Sequence, residues 1–213
     1  MEQPIKKLIE TKNHEAIRLL LSNNPDLANE GISYDELNTA KAHPLHRICD
    51  AVFSKKITDE EAIDIAKIFL DHGANINGGK IEAGKDTPLI AAASLHAEQL
   101  GIFYIENGAE IHSTGCNGAS ALHWAAYCGK NKLLERLIYE KAEIDLRDSS
   151  FNATPLGWAI HALMTDDEID KHGHVKCIKL LLRAGSDKNL LHKEALQSLQ
   201  NLADSDPALR VLL

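Results

Sequence analysis

Aromatic residues are scarce in this chain, at 5% of 213 residues, with two tryptophans, four tyrosines and four phenylalanines. Basic residues are outnumbered, 23 lysines and arginines against 31 acids, giving a net charge of −8. A surface that tracks phosphates needs clustered Lys and Arg, so that balance argues against a nucleic-acid binder. No run approaches the ~20 apolar residues of a membrane span. The N-terminus, MEQPIKKLIETKNHEAIRLLL, carries charge throughout and has no apolar core of a signal peptide. The four cysteines, Cys49, Cys116, Cys128 and Cys177, form no C-x-x-C pair, and are expected to be free thiols in a reducing compartment. There is no Gly-rich phosphate loop, no G-x-S-x-G elbow and no H-E-x-x-H helix. These absences lead to the expectation of a cytoplasmic, non-enzymatic protein without cofactor, metal, nucleic acid or membrane.

What is present is a repeated phrase, clearest from Gly118 to Asp145. Ser120-Ala121-Leu122-His123 opens a short helix whose Ala125 and Ala126 admit a close neighbour, and Gly129 ends it. A second helix follows, with Leu133, Leu134, Leu137 and Ile138 at helical spacing and Lys132, Glu135, Arg136 and Glu140 opposite. Thr87-Pro88-Leu89 stands 33 residues before Ser120, and Thr154-Pro155-Leu156 stands 34 after it. The closing phrase recurs as Gly73-Ala74-Asn75-Ile76-Asn77, Gly108-Ala109-Glu110-Ile111 and Gly185-Ser186-Asp187.

A period near 33 with a T-P-L-H-x-A opening resembles the ankyrin-repeat family. The resemblance implies an all-α solenoid of about five helix-turn-helix units plus a C-terminal helical cap. The expected divisions are a capping repeat over 1–29, repeats over 43–77, 87–112, 120–145 and 154–188, and a cap over 189–213, as one domain. Glu30 to Ala42 reads as an extended loop, and Asn13 stands where the first unit would have its inter-helix glycine. Two units are longer than the rest, with insertions near 51–60 and 162–172 between their helices. Thr58-Asp59-Glu60-Glu61 and Thr165-Asp166-Asp167-Glu168 both fit capping boxes. Gly173-His174 matches the family's inter-helix pair. His96 and Lys141 occupy positions where glycine is usual; histidine tolerates the positive φ expected at 96, and at 141 the expectation is either a strained backbone costing ~1 kcal/mol or an altered turn. Asp206-Pro207 starts a last helix running to Leu213, and with both ends capped a whole protein is expected.

In ankyrin proteins partners usually meet the concave face, which the resemblance assigns to hairpin tips and the exposed ends of first helices. The mapped candidates are Arg47 and Asp50, Leu95, Trp124 and Tyr127, Phe151, and Trp158 with His161. Both tryptophans fall at equivalent positions of adjacent units, and Trp and Tyr dominate binding hot spots. Trp124, Tyr127, Trp158 and His161 are therefore the expected centre, and Trp158→Ala is expected to weaken binding while the fold survives. His46 and His123 occupy the motif's histidine position, which in the family is structural. The function expected is a monomeric, non-enzymatic scaffold that binds another protein, a basic one suiting its charge. A second reading is an acidic inhibitor or antidote that caps a basic enzyme or toxin. A third, of a different class, is a metal- or small-molecule-dependent enzyme using Cys128 and His161.

Overall fold

A computed structural model describes residues 4–34, 40–78, 86–165 and 171–213. The chain folds into two compact units, Met1–Glu110 and Ile111–Leu213. In the first unit, helices pair in sequence: α1 (Pro4–Glu10) with α2 (His14–Asn23), α3 (Pro44–Phe53) with α4 (Asp59–Asp71), and α5 (Pro88–Ser94) with α6 (Glu98–Glu106). The first helices stack on one another in the order α1, α3, α5, and the second helices in the order α2, α4, α6. The second unit repeats the scheme with α7 (Ala121–Tyr127) and α8 (Asn131–Tyr139), α9 (Pro155–Thr165) and α10 (Lys171–Ala184), and α11 (Lys193–Ser205) and α12 (Pro207–Arg210). The expected all-α stack of helix pairs is what the chain forms.

The T-P-L phrase earns its place atom by atom. The Thr87 hydroxyl accepts from the Ile90 amide at 3.3 Å and the Thr154 hydroxyl from the Gly157 amide at 3.3 Å, closing the open ends of α5 and α9. Proline follows at the first helical position, where no amide is needed. The leucine is core: Leu45, Leu89, Leu122 and Leu156 are all buried. Thr58 and Glu61 form the expected capping box at the start of α4. Of the corresponding pattern at Thr165, residues 166–168 lie outside the described residues.

Stacking is locked by side chains that reach the next repeat. In the first unit the Asn29 side-chain oxygen accepts from the Asn75 amide at 2.7 Å, and that of Asn77 from the Glu110 amide at 2.7 Å. In the second unit Asp145 accepts from the Asp187 amide at 3.1 Å. Asp59 accepts the amides of Gln99 and Leu100 at 2.6 and 2.9 Å. It thus caps α6, whose own N-cap residue, Ala97, has no side-chain acceptor. The Tyr104 hydroxyl, fully buried, donates to the Leu45 carbonyl at 2.9 Å.

Several expectations change in detail. The segment before Ala42 contains a small hairpin, β1 (Ile32–Ser33) against β2 (Lys41–Ala42), antiparallel with Ile32 opposite Ala42. In the first helix pair the left-handed residue is Lys12, at φ 56°, while Asn13 instead caps α2 by accepting from the Ala16 amide. His96 (φ 65°) and Lys141 (φ 70°) do take the left-handed conformation. The inserted residues lengthen helices: α3 and α4 have 10 and 13 residues against 7 and 9 in α5 and α6. In the second unit α9 and α10 have 11 and 14 against 7 and 9 in α7 and α8. Gly173-His174 therefore lies inside α10, not between helices. A methyl group on Gly173 would sit 2.6 Å from the Gly129 carbonyl oxygen, so the glycine permits a backbone approach that a side chain would block. His174 then donates from Nε2 to the Tyr127 carbonyl at 2.7 Å. The last helix stops at Arg210, short of the expected Leu213.

His43 carries a testable consequence of this packing. Its Nδ1 accepts the Leu45 amide at 3.3 Å and its Nε2 donates to Asn29 at 3.2 Å, an arrangement that requires the neutral ring. Burial, aided by the nearby His46, pushes its pKa down from 6.5 to about 4. A histidine kept neutral by folding contributes stability that is complete above about 6.5 and lost as pH falls towards the folded value. The parent should therefore lose more stability than His43→Gln between pH 6.5 and 4 in urea titrations. Equal losses would remove His43 from the acid response.

Candidate functional site

The second unit gathers aromatic rings around Trp158. Its indole centroid lies 5.0 Å from that of Trp124, 5.8 Å from Tyr127, 6.2 Å from Phe151 and 5.3 Å from His123. All four meet it edge-on, at interplanar angles of 70–84°. Trp124 and Tyr127 also meet each other, at 6.1 Å and 87°. Edge-to-face pairs at these separations add to the stabilisation that burial provides.

The rings differ in exposure, and that decides their roles. Trp158 is only 6% exposed, whereas Tyr127 is 37% and Phe151 62% exposed, and Trp124 is half-buried. Trp158 is thus the floor of the cluster, and the outer rings are the surface a partner could touch. The expectation for Trp158→Ala is weaker binding with the fold surviving; at 6% exposure the ring offers a partner little surface, and its truncation bears first on packing. Helical spacing puts residues 124 and 158 at equivalent positions of α7 and α9, but Phe151 and Tyr127 close over Trp158.

Asp148 organises the hairpin that presents Phe151. Its carboxylate, 3% exposed, accepts from the amides of Ser150 (2.9 Å), Phe151 (2.6 Å) and Ala153 (3.0 Å) and from Trp158 Nε1 (3.0 Å). Burial pushes the carboxyl pKa up, but these donors together outweigh it and hold it below the usual value. His123 fixes the other side. Its Nδ1 receives the Ser120 hydroxyl at 2.9 Å and its Nε2 donates to the Ala153 carbonyl at 3.2 Å. Burial lowers its pKa, so the ring stays neutral. That is the structural part expected of the motif histidine.

The remaining candidates are scattered. His161 is exposed on α9 and joins none of these ring contacts among the described residues. Cys128 is half-buried, and burial pushes its thiol pKa up to about 11, the wrong direction for a nucleophile. Leu95, Arg47 and Asp50 belong to the first unit, where Leu95 ends α5 and the other two form an ion pair of 2.6 Å. Among the described residues no three His, Cys, Asp or Glu side chains converge as a metal site would require. Asp148 is the member that the repeat pattern did not single out, whereas His123 stands at the motif's histidine position. The signal for Asp148 was present: an Asp followed by two serines is an Asx-turn pattern, which folds a chain back on its own amides.

Residues 96–192 match the family model for ankyrin repeats in three copies. Over that span the chain carries ankyrin repeats. The matched span contains the whole aromatic cluster. Ankyrin repeats are typically non-enzymatic modules of protein interaction. The chain is also similar to palmitoyltransferase ZDHHC13 of Mus musculus, 31% identical over 139 residues, 60% of this chain and 21% of that protein. The human and Pongo abelii proteins of the same name are each 30% identical over 135 residues, 59% of this chain and 20% of theirs. The chain thus spans about a fifth of the length of these relatives, and the similarity is confined to their ankyrin region. No helix among the described residues is long and apolar enough to cross a membrane.

Proposed function

We propose that this ankyrin protein is a non-enzymatic, cytoplasmic binding module that recognises another protein through Tyr127, Phe151 and Trp124. The observation that carries the reading is the cluster itself. Two exposed aromatic rings are held in fixed orientation by a buried third, so little side-chain freedom is lost on binding. Large apolar side chains kept in water side by side mark a contact surface. Trp158 acts beneath them as support. His161 is exposed on the same helix, outside the ring contacts among the described residues. The transferase activity in the relatives' name is not part of the proposal, because the shared region is their repeats.

The test is an affinity capture of partners from the source cell's lysate, parent beside Tyr127→Ala/Phe151→Ala. Both side chains are exposed, so the variant should keep its circular dichroism spectrum. A captured partner should bind the variant about thirtyfold more weakly, the ~2 kcal/mol of a hot spot. Equal binding by a folded variant would move the contact elsewhere. The net charge of −8 favours a second reading, an acidic inhibitor of a basic enzyme or toxin. In that case affinity would fall steeply with added salt.

A further inference from the structure

The first unit holds a pocket that the aromatic site does not use. Its volume is about 330 Å³, at the small end for a ligand pocket. Lys6 and Ile9 of α1, Arg47 and Phe53 of α3, and Lys56 beyond α3 line it, with Tyr34 and Asp50 beside Arg47.

Arg47 is the unusual member. Its side chain is 9% exposed. One terminal nitrogen, Nη1, donates to Asp50 at 2.6 Å, and the guanidinium lies 4.1 Å from the centroid of the Tyr34 ring. Its Nε is buried and has no acceptor among the described residues. A buried donor left unpaired is costly, and a ligand that supplies an acceptor recovers that cost. Asp50 occupies Nη1 only.

The rest of the lining states what the acceptor should be. Lys6, Arg47 and Lys56 face Glu10 and Asp50, which leaves one positive charge in surplus. One surplus charge matches a carboxylate; a phosphate ester would bring closer to two. The planar guanidinium edge also fits a carboxylate better than a point charge would. Phe53, 57% exposed, and Ile9 add hydrocarbon next to the cations. We propose that this pocket binds a carboxylate carried beside an apolar group, with Arg47 Nε donating to the carboxylate, Lys6 and Lys56 balancing its charge, and Phe53 and Ile9 covering the apolar part. That chemistry belongs to a small apolar acid or to a peptide C-terminus ending in an apolar residue. The site is independent of the aromatic cluster.

The probe is N-acetyl-leucine, titrated into the full chain and followed by calorimetry and by backbone amide NMR shifts, with N-acetyl-leucinamide as the uncharged control. The acid should bind at least tenfold more tightly than the amide, with shifts gathered on α1 and α3. Arg47→Lys removes Nε and should weaken the acid at least tenfold. Because Arg47 is buried, that variant could lose its fold; the pair Lys6→Gln/Lys56→Gln, the first half-buried and the second exposed, then decides, with an expected loss of threefold or more. Equal affinity for acid and amide, no binding of the acid, or parental affinity in the folded lysine variant would overturn the proposal. The tripeptide Ala-Ala-Leu separates the two sources. Tighter binding than N-acetyl-leucine points to a peptide terminus, and equal binding to a free acid.

Discussion

Trp158→Ala is expected to destabilise the protein by about 3–5 kcal/mol, the range for truncating a large buried aromatic. The ring is 6% exposed and touches four other rings, and its N–H satisfies Asp148. Its loss leaves a cavity beneath Tyr127 and Phe151 and removes one donor from a buried carboxylate. The measurement is urea unfolding followed by far-ultraviolet circular dichroism. Trp158→Phe keeps much of the packing but not the hydrogen bond, and should cost clearly less. An alanine variant within 1 kcal/mol of the parent would show that the ring is not part of the core. Any loss of partner binding in the alanine variant would then report folding before contact, which is why Tyr127 and Phe151 are the residues to truncate when testing the interface.

Asp148→Ala should cost about 3 kcal/mol, because it leaves three backbone amides and one indole N–H without their acceptor, and bonds to a charged group are worth ~1.5–3 kcal/mol each when fully buried. Some of those donors will turn to water, which holds the total well below the simple sum. Asp148→Asn retains one carbonyl oxygen and should fall between the two. The variant also has a pH signature. The folded carboxyl titrates below its unfolded value near 3.9, so its contribution is present above that pH and is lost as the pH falls through the lower, folded value. The parent should therefore show an acid-induced loss below about pH 4 that Asp148→Ala lacks. An unchanged acid limb in the alanine variant would assign that loss to other carboxylates. Since Asp148 and Trp158 share a bond, the double variant should lose less than the two singles combined.

Much of this fold was legible before any coordinates. Thr87-Pro88-Leu89 and its equivalents carry a cap, a first-turn proline and a core leucine in three consecutive residues, so the repeat declares its own helix starts. Thr58 and Glu61 announced the start of α4 in the same way. The left-handed turn at His96 could be read from its register with Gly129, whereas at Lys141, in register with Gly108 and Gly185, an altered turn stayed open until the backbone showed φ 70°. Helix lengths were less legible. Gly173-His174 looked like a break and proved to be helix interior, because the reason for that glycine is the Gly129 carbonyl 44 residues earlier in the chain.

The candidate site divides along the same line. Local pattern put Trp124, Tyr127, Trp158 and His161 at the centre with Phe151 beside them, since the repeat period brings equivalent positions together, but His161 joins none of the ring contacts among the described residues. It could not rank them, because exposure is set by which side chain closes over which. Nor could it find Asp59 capping α6 from the neighbouring repeat, or the buried Nε of Arg47, without an acceptor among the described residues. By itself the sequence determined the repeat, its helix boundaries at the capped ends, the all-α class and the membership of the aromatic group, all of which follow from interactions within a few residues or from a fixed period. Only the tertiary structure decided that Trp158 is floor and not surface, that Asp148 and His123 hold the hairpin in place, and that α1 and α3 enclose a pocket. Those depend on distances between residues far apart in the chain, which periodicity does not encode.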